Sequence, residues 1–293
     1  MSPFGSNVTT IDGRNIDQVI SFRYPSYAVR HPRHVCWFNH TMREYYDLWP
    51  QLVRSISWRN RIKETMRRGV LHAVDRWLLK QNVTDVVAQS RTIQRRLADD
   101  LNVTADVLYP PPPLHAYRCD GYGDYMFAIS RLTPLKRVDL LVRALAEPIA
   151  GRVKAVIAGE GDSRPALEAL ARSLGVAERI AFLGRIDEPT MLNHLARCRA
   201  VCFTPFAEDY GLVTVEAFAS GKAVVTSVDS GGPAELVHDG DNGLVSAPTP
   251  QSLAISLARL SDDAVFAERL GARAKFSAAA MTWPAAVRRL VIV

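Results

Sequence analysis

The chain has 293 residues, of which 48% are apolar and 23% charged, and this length and composition suit two α/β domains with a substantial core. It contains no apolar run of about 18 residues, the length that indicates a membrane-spanning helix. Its start, MSPFGSNVTT, lacks the basic and apolar regions of a signal peptide. We therefore expect a cytoplasmic protein, bound at most peripherally to the inner face of the membrane.

The net charge of +6 is concentrated in the first 120 residues, which carry 17 lysines and arginines against 11 aspartates and glutamates. Residues 54–80 alone hold eight cations, against Glu64 and Asp75. This excess favours an anionic partner such as a membrane surface or a phosphate-bearing substrate, although a solvated helix face explains it equally well. We do not expect nucleic-acid binding, because the basic segment lacks interleaved exposed aromatic residues and any recognised reader motif.

In the first part of the chain, four short apolar runs predict strands: DQVIS, HVCWF, DVVAQS and ADVLYP. A long helix is predicted around Ser57–Lys80. Its apolar residues recur at helical spacing and predict one buried stripe, with the basic residues mostly on the other sides of the helix. The residues of this predicted stripe are Ile62, Met66, Val70, Val74, Trp77 and Leu78.

The segment YPPPPLHAYRCDGYGDY, at Tyr109–Tyr125, is too rich in proline and glycine to continue a helix or a strand. We place the domain boundary inside it. The predicted domains are residues 1–121 and 122–280, and residues 281–293 are predicted to form a C-terminal helix.

From Tyr125 onward, six apolar runs predict strands, and each is followed by helical periodicity: YMFAIS, VKAVIAG, RIAFLG, AVCFTP, AVVTS and GLVSA. This alternation predicts a parallel, doubly wound sheet. Two more helices are predicted at Gln251–Leu260 and Asp263–Ala280. Ligands of such sheets bind where the carboxyl ends of the strands and their loops gather.

Three of these loops carry residues suited to a ligand. In SRLTPLKR, Arg131 and Lys136 stand beside a helix start, where cations and backbone N–H groups bind phosphate. In AGEGD, Gly159 and Gly161 let a ligand approach the backbone. Each of these two loops, taken alone, is more often explained by structure, as basic residues near a helix start or as a tight turn.

The third loop lies in FAEDYGLVTVEAFASGKAVV, which holds Glu208 in the loop and Glu216 in the helix that follows. Carboxylates accept hydrogen bonds from vicinal hydroxyls, so two of them near one helix start suit a sugar or a ribose. Glu216 taken alone is better explained as compensation of the helix dipole. With three such loops on one sheet edge, we favour a ligand site.

These motifs, in this order, resemble family 4 glycosyltransferases of the GT-B fold. The resemblance runs through FAISRLTPLKRVDLLVRAL, IAGEGD, the glutamate pair and SGGPAELV, over most of Met126–Val245. Upstream, VCWFNHTMREYYDLW and DVVAQSRTIQRRLADDLNVTADVLYPPP resemble the N-terminal domain of the same family. The implied fold is two Rossmann-like doubly wound domains facing a cleft, with 1–121 on the acceptor side and 122–280 binding the donor.

The resemblance implies a retaining transfer of a hexose from a nucleotide sugar, GDP-mannose or a UDP-sugar, to a glycan or lipid-linked acceptor. It implies neither a catalytic metal nor a cofactor. Arg131 and Lys136 would neutralise the leaving diphosphate, Glu208 would contact the sugar hydroxyls and Glu216 the ribose. Other donor contacts would come from the loop glycines, the nucleobase segment and the helix start: Gly159, Gly161, Arg185, Ile186, Tyr210, Gly211 and Leu212.

On the acceptor side, His40 matches a histidine that approaches the reacting centre, and Arg43 matches an acceptor-side position. A histidine satisfied at a strand end is the alternative for His40. The family opens with a strand and a Gly-rich loop, and this chain has neither, so we expect an incomplete N-terminal domain. Two alternatives stay open: a non-catalytic nucleotide-sugar-binding fragment, and a nucleotide-sugar epimerase of the same fold.

The motif DGDNG, at Asp239–Gly243, contains the Asp-x-Asp pattern that holds a divalent metal in another class of glycosyltransferase. Here it lies between a helix and a strand and ends in Asn-Gly, a strong turn signal. We therefore predict a turn at this position, without a metal.

Overall fold

The computed structural model describes residues 7–292, and internal contacts divide the chain into two compact units. The first unit comprises the chain up to Pro110 together with the segment from Trp283, and the second is Pro111–Thr282. Each unit is built on a parallel sheet of its own.

The described part of the first unit contains a four-stranded parallel sheet in the order β3-β4-β5-β6. A small antiparallel pair, β1 (Thr10–Ile11) and β2 (Arg14–Asn15), precedes it. The four predicted strands are confirmed: β3 (Val19–Ser21), β4 (His34–Phe38), β5 (Asp85–Ala88) and β6 (Asp106–Val107). Three helices lie among them: α1 (Trp49–Ser55), α2 (Trp58–Asn82) and α3 (Arg91–Leu101).

The predicted long helix is present as α2, but the prediction of its buried stripe is wrong. Ile62, Met66, Val70 and Trp77 are 56%, 63%, 63% and 48% exposed, and of the six predicted residues only Leu78 is fully buried. The face that packs inward carries Asp75, Leu78, Leu79 and Asn82 instead.

A hydrogen-bonded carboxylate explains why this face is the buried one. Asp75 accepts from the hydroxyls of Tyr27 at 2.7 Å and Tyr46 at 2.5 Å, and a buried carboxylate is tolerated only with such partners. Desolvation raises the pKa of Asp75, and the two tyrosine hydrogen bonds oppose that rise. The position of α2 therefore follows from this polar contact together with the two leucines.

The second unit has a six-stranded parallel sheet in the order β12-β11-β10-β7-β8-β9. All six predicted strands are confirmed: β7 (Tyr125–Ile129), β8 (Lys154–Ala158), β9 (Ile180–Gly184), β10 (Ala200–Cys202), β11 (Val224–Ser227) and β12 (Gly243–Ser246). Helices α4 to α10 connect and follow the strands: α4 (Val138–Leu145), α5 (Arg164–Ser173), α6 (Glu188–Arg197), α7 (Leu212–Ala219), α8 (Gly232–Leu236), α9 (Pro250–Asp262) and α10 (Ala264–Ala279).

Both faces of this sheet are covered by apolar side chains, as a parallel sheet requires. Met126 and Val225 belong to one buried cluster, and Phe127 and Val224 belong to another. The chain builds β7, β8 and β9 in one direction and then returns to place β10 on the other side of β7. This reversal makes the carboxyl ends of β7 and β10 the switch point of the sheet, where ligands of such folds bind.

The connection before β7 is fixed to the second unit. Asp120 and Gly123 donate from their backbone N–H groups to the carbonyls of Ala196 and Arg197, each at 2.8 Å. The fully buried Lys222 donates to the carbonyl of Gly121, and its ammonium lies 4.0 Å from the centre of the Tyr122 ring.

The last helix, α11 (Trp283–Leu290), packs against the first unit. Trp283 meets Trp37 of β4 edge to face at 6.2 Å, and Arg289 pairs with Asp85 and Asp106, each at 2.7 Å. No helix within residues 7–292 combines the length and the apolar character needed to cross a membrane.

Replacing Asp75 by alanine should lower the free energy of unfolding by about 2–4 kcal/mol, because two buried tyrosine hydroxyls lose their acceptor. Urea titration followed by tryptophan fluorescence measures this change. The control is Asp139→Ala, which removes an exposed carboxylate 3.8 Å from Arg143 and should cost less than about 1 kcal/mol. Equal losses in the two variants would contradict the role given to Asp75.

Candidate functional site at the carboxyl ends of β7 and β10

Two of the predicted site residues meet in an ion pair. Lys136 follows β7 and Glu208 follows β10, and these strands are neighbours in the sheet. The ammonium of Lys136 donates to Oε2 of Glu208 at 2.6 Å, and both side chains are mostly buried. The pair places an ammonium and a carboxylate together at the switch point of the sheet.

The backbone of Glu208 is held by the loop after β11. Its N–H donates to the carbonyl of Ser230 at 2.9 Å, and its carbonyl accepts from the N–H of Gly232 at 2.9 Å. Between them, Gly231 has φ +73, and a Cβ there would overlap the carbonyl oxygen of Glu208. Glycine at this position therefore lets the SGGP loop run directly alongside Glu208.

Arg137 fixes the same loops, and the sequence analysis missed it. Its guanidinium donates to both carboxylate oxygens of Asp229 at 2.7 Å. It also donates to the carbonyls of Thr204 and Pro205 at 2.9 and 2.8 Å and to the hydroxyl of Ser227 at 2.8 Å. Partial burial raises the pKa of Asp229, but the hydrogen bonds from Arg137 and Ser227 outweigh it, and the net shift is downward.

The sequence signal for Arg137 is its place as the third cation of SRLTPLKR. Its partner Asp229 lies 92 residues further along the chain, so spacing alone does not connect them. The backbone of Arg137 is left-handed, with φ +47 and ψ +39, where it precedes α4. Arg137 is thus a structural clamp next to Lys136.

The two predicted phosphate-binding cations differ in their surroundings. Lys136 is mostly buried and paired with Glu208. Arg131 is exposed, and within residues 7–292 its guanidinium has no hydrogen bond or ion pair. Arg131 is therefore open to an anion from solvent.

The two glycines of AGEGD serve the packing of the loops. Gly159 and Gly161 have φ +124 and +156, and a Cβ on either would overlap the backbone, at Ser130 and Leu132 respectively. The two loops are also joined by a 2.9 Å hydrogen bond from the N–H of Leu132 to the carbonyl of Glu160. This packing accounts for both glycines, and their contact with a donor stays a prediction.

Glu216 lies in α7, close to residues of the Pro-rich segment. Burial raises its pKa, an effect that His115 opposes and Glu188 reinforces, while Tyr117 also lowers it. The Tyr117 hydroxyl is buried and makes no well-formed hydrogen bond with any residue in the described range. His115 is bound to Glu188, with 2.9 Å between Nδ1 and Oε1.

His115, Tyr117 and Glu188 were not among the site residues predicted from the sequence. The segment PPPLHAY has the composition of a linker, and nothing in its spacing indicates contact with α7. Glu188 opens α6, directly after the predicted nucleobase segment of Arg185 and Ile186. Arg185 is exposed and Ile186 half-buried, so this segment lies beside the surroundings of Glu216.

The helix that carries Glu216 begins at Leu212, after Gly211 with φ +82. A Cβ on Gly211 would stand 2.8 Å from Cγ of Pro233 and 2.9 Å from Cε1 of Phe203. Tyr210 is buried, while Leu212 is exposed. The structure thus gathers Lys136, Glu208 and the start of α7 at one edge of the sheet.

The predicted acceptor-side residues belong to the first unit. The ring Nδ1 of His40 donates to the carbonyl of Thr41 at 3.0 Å, so this hydrogen bond does not involve Nε2. Arg43 binds Asp47, with the closest contact at 2.6 Å, and Arg96 shares that carboxylate at 3.0 Å.

The Asp-x-Asp segment forms a turn, as predicted. Asp239 accepts from the N–H of Val245 at 2.9 Å, and Asp241 pairs with Arg273 at 2.8 Å. Both carboxylates have internal partners. Within residues 7–292, no cluster of three His, Cys, Asp or Glu side chains is arranged to hold a metal ion.

A groove of about 460 Å³ lies between α4 and α5, lined in part by Thr133, Arg137, Arg143 and Ser163. It is not lined by Lys136, Glu208 or Glu216. The groove is therefore a different place from the edge of the sheet where those residues meet.

Residues 120–276 match the family model described as glycosyl transferases group 1. Among curated relatives, a D-inositol 3-phosphate glycosyltransferase of Nocardia farcinica is 36% identical over 53% of this chain and 36% of its own length. An uncharacterised glycosyltransferase of Methanocaldococcus jannaschii is 34% identical over 50% of the chain and 38% of its own length. The matched region thus spans less than half the length of these relatives.

Solved structures of glycosyltransferases share the fold. Sucrose-phosphate synthase of Thermosynechococcus elongatus has a TM-score of 0.70 at 20% identity, covering 88% of this chain and 66% of its own. HepE of Anabaena, in complex with UDP, has a TM-score of 0.69 at 23% identity, covering 87% and 70%. The predicted α/β architecture with parallel sheets, that of GT-B glycosyltransferases, is confirmed.

Gly159→Ala should destabilise the second unit by at least about 2 kcal/mol more than Gly175→Ala. Gly175 also has a positive φ, +69, but its Cβ would meet no atom within 4 Å, so this control isolates the cost of the backbone angle. Urea unfolding of both variants gives the difference. Equal losses would show that the close approach of Gly159 to Ser130 contributes nothing.

Proposed function

Because the chain belongs to the glycosyl transferases group 1 family, we propose that it transfers a hexose from a nucleotide sugar to an acceptor, with retention of configuration. The observation that carries this proposal is the Lys136–Glu208 pair at the switch point, with the unpaired Arg131 in the same loop as Lys136. The donors proposed are GDP-mannose or a UDP-sugar. The complexes of HepE with UDP and with UDP-glucose support a nucleotide sugar as the class of donor.

Cleavage of a sugar–phosphate bond leaves negative charge on the departing diphosphate, and fixed cations stabilise that charge. Arg131 and Lys136 supply two cations, and we propose that no metal is needed. Lys136 lies between the diphosphate and Glu208, whose second oxygen accepts from hydroxyls of the donor sugar. Glu208 thereby orients the sugar and Lys136 holds the leaving group.

The nucleoside is proposed to lie toward Glu216. Its carboxylate accepts from the ribose hydroxyls, and the backbone at Arg185 and Ile186 contacts the base. Tyr117 and His115 lie close enough to Glu216 to affect its pKa. Gly159, Gly161 and the Tyr210–Leu212 segment complete the proposed donor contacts.

The acceptor is proposed to be a glycan or a lipid-linked glycan, approached by His40 and Arg43. We place the protein in the cytoplasm, peripherally on the inner face of a membrane. The cations of residues 54–80 would meet anionic lipid there, at about 1 kcal/mol for each cation near the surface. The expectation that the basic helix lacks exposed aromatic residues is wrong, since Trp58 and Trp77 are exposed. The segment still carries no recognised nucleic-acid reader motif, and neither a nucleic-acid partner nor a cofactor is proposed.

A second candidate is a protein that binds a nucleotide sugar without transferring it. It is favoured by one observation: the proposed donor contacts all belong to the second unit, Pro111–Thr282.

Thermal shifts with UDP-, GDP- and ADP-sugars identify the donor, since a ligand of the native state raises the melting temperature of the protein. Donor hydrolysis and transfer to lipid extract, measured beside binding, separate the two candidates.

Lys136→Ala should weaken binding of the nucleoside diphosphate by roughly 10- to 100-fold, because a charge-assisted contact to phosphate is lost. Binding of the nucleoside alone should not change. Lys154→Ala is the matched control, since its ammonium pairs with Asp124 at 2.7 Å on an exposed surface. Isothermal titration measures all three proteins, and equal weakening by both substitutions would contradict the phosphate role.

Glu208→Gln should keep the affinity for the bare nucleoside diphosphate within about threefold, because Lys136 stays in place without its internal partner. The variant should lose the preference for one sugar over another in a panel of donors. Loss of diphosphate binding as well would show that Glu208 acts on the nucleotide and not on the sugar.

The affinity for the nucleoside diphosphate should fall on acidification at a higher pH than an ordinary glutamate would give. The raised pKa of Glu216 means that it gains a proton early, and the neutral acid is a weaker acceptor for the ribose hydroxyls. Titrations between about pH 8 and pH 5 should separate wild type from Glu216→Gln, which lacks this carboxyl group. Parallel curves would contradict the ribose contact.

A further inference from the structure

The outward face of α2 carries an apolar stripe in the described structure. Ile62, Met66, Val70 and Trp77 project opposite the buried face of the helix, and Trp58, at its start, is 68% exposed. We call these five residues the outer stripe. At 1.5 Å per residue the stripe is about 29 Å long. Several large apolar side chains exposed on one face of a helix are the kind of surface that marks an interaction site.

The cations around the outer stripe are exposed and unpaired. Arg59, Lys63 and Lys80 of α2 and Arg30 from the preceding part of the chain are exposed, and none forms an ion pair with a residue in the range 7–292. Two of them lie over the tryptophans at the ends of the stripe. Arg59 is 5.3 Å from the Trp58 ring centre and Arg30 is 5.9 Å from that of Trp77.

Both carboxylates of α2 point away from this face. Glu64 accepts from the hydroxyl of Tyr45 at 2.7 Å and pairs with Arg67 at 3.1 Å, and Asp75 is buried between two tyrosines. The outward face of the helix therefore combines apolar and cationic side chains without a carboxylate of its own. Its complement is a surface that is both apolar and negatively charged.

We infer that α2 lies flat in the interface of an anionic bilayer, with the outer stripe inserted below the headgroups. The stems of Arg59, Lys63 and Lys80 extend along the helix and keep their charges at the level of the lipid phosphates. Trp58 and Trp77 suit the boundary between headgroups and acyl chains, because indole has a large apolar body and one polar N–H. This inference rests on the proposed membrane contact and adds to it a hydrophobic insertion with a defined face.

Insertion and purely electrostatic binding differ in their response to salt. Exposed charge–charge attraction is screened strongly at about 0.5 M salt, whereas burial of apolar side chains is not. The full chain should bind vesicles of equal parts phosphatidylglycerol and phosphatidylcholine and keep part of that binding at high salt.

Vesicles with brominated acyl chains should quench the fluorescence of Trp58 and Trp77, and the quenching should be weaker in W58F/W77F.

The decisive variant is Ile62→Gln, Met66→Gln and Val70→Gln combined. Glutamine keeps the helix propensity, and all three positions are exposed, so circular dichroism and the melting temperature should match wild type. The vesicle affinity at high salt should fall at least roughly tenfold. The matched control, Ile255→Gln, Val265→Gln and Phe276→Gln, removes three equally exposed apolar side chains from α9 and α10 and should bind as wild type does.

Three results would overturn the inference. Vesicle binding by the triple variant at high salt that equals wild-type binding refutes insertion. In the second result, wild type binds no vesicles but self-associates, and the triple variant does not self-associate, as measured by light scattering. This result assigns the outer stripe to contact with a second copy of the chain. Tight binding of a single-stranded RNA oligonucleotide with no vesicle binding assigns it to nucleic acid. Donor hydrolysis and transfer, measured in the same variants, test the proposed function separately, because the proposed donor contacts lie in the second unit.

Discussion

The guanidinium of Arg137 is the contact on which the candidate site depends. It joins the loop after β7 to Thr204 and Pro205 after β10 and to Ser227 and Asp229 at the end of β11. Three separate loops therefore share one rigid, planar donor, and few side chains can satisfy carbonyls and a carboxylate together in this way. Lys136 precedes Arg137 directly. Along the chain, Glu208 lies between Pro205 and Ser227, two of the residues that Arg137 binds. The separation of the Lys136 ammonium and the Glu208 carboxylate is consequently set by groups that need not touch a ligand.

The two glutamates of FAEDYGLVTVEAFASGKAVV differ chemically because their surroundings differ. Glu208 pairs with an ammonium and is anchored on both sides of its backbone by the loop of Gly231. Within residues 7–292, Glu216 forms no ion pair with a lysine or an arginine. Burial and the nearby Glu188 raise its pKa, and His115 and Tyr117 oppose this rise only in part. Under the proposed function, the same residue type thus serves a sugar at one end of the site and a ribose at the other, and the raised pKa of Glu216 makes the ribose end sensitive to mild acid.

The strands and the donor-side loops were predictable from the sequence because their signals are local. A buried parallel strand is a short apolar run, and the residues after it must lie at the carboxyl edge. Arg137 was not predictable, since its role depends on Asp229, which becomes a neighbour only through the order of β10 and β11. The positions of Tyr117 and His115 near Glu216 were also not predictable, because a Pro-rich segment has no periodicity that would indicate a contact with α7. For α2, the spacing of Ile62, Met66 and Val70 correctly put them on one face. Periodicity does not say which face the rest of the fold covers, and Asp75 with its two tyrosines decided that.

The chain passes between its two units twice, once near Pro110 and once near Thr282, because α11 returns to pack on β4 and to pair with Asp85 and Asp106. The second unit is therefore one uninterrupted stretch of sequence, whereas the first is assembled from segments on either side of it. During synthesis the sheet of the first unit is made before the second unit, and Trp283 and Arg289 are made after it. Trp37 and the two aspartates are without these partners for that interval, so a helix made after the second unit completes a sheet made before it.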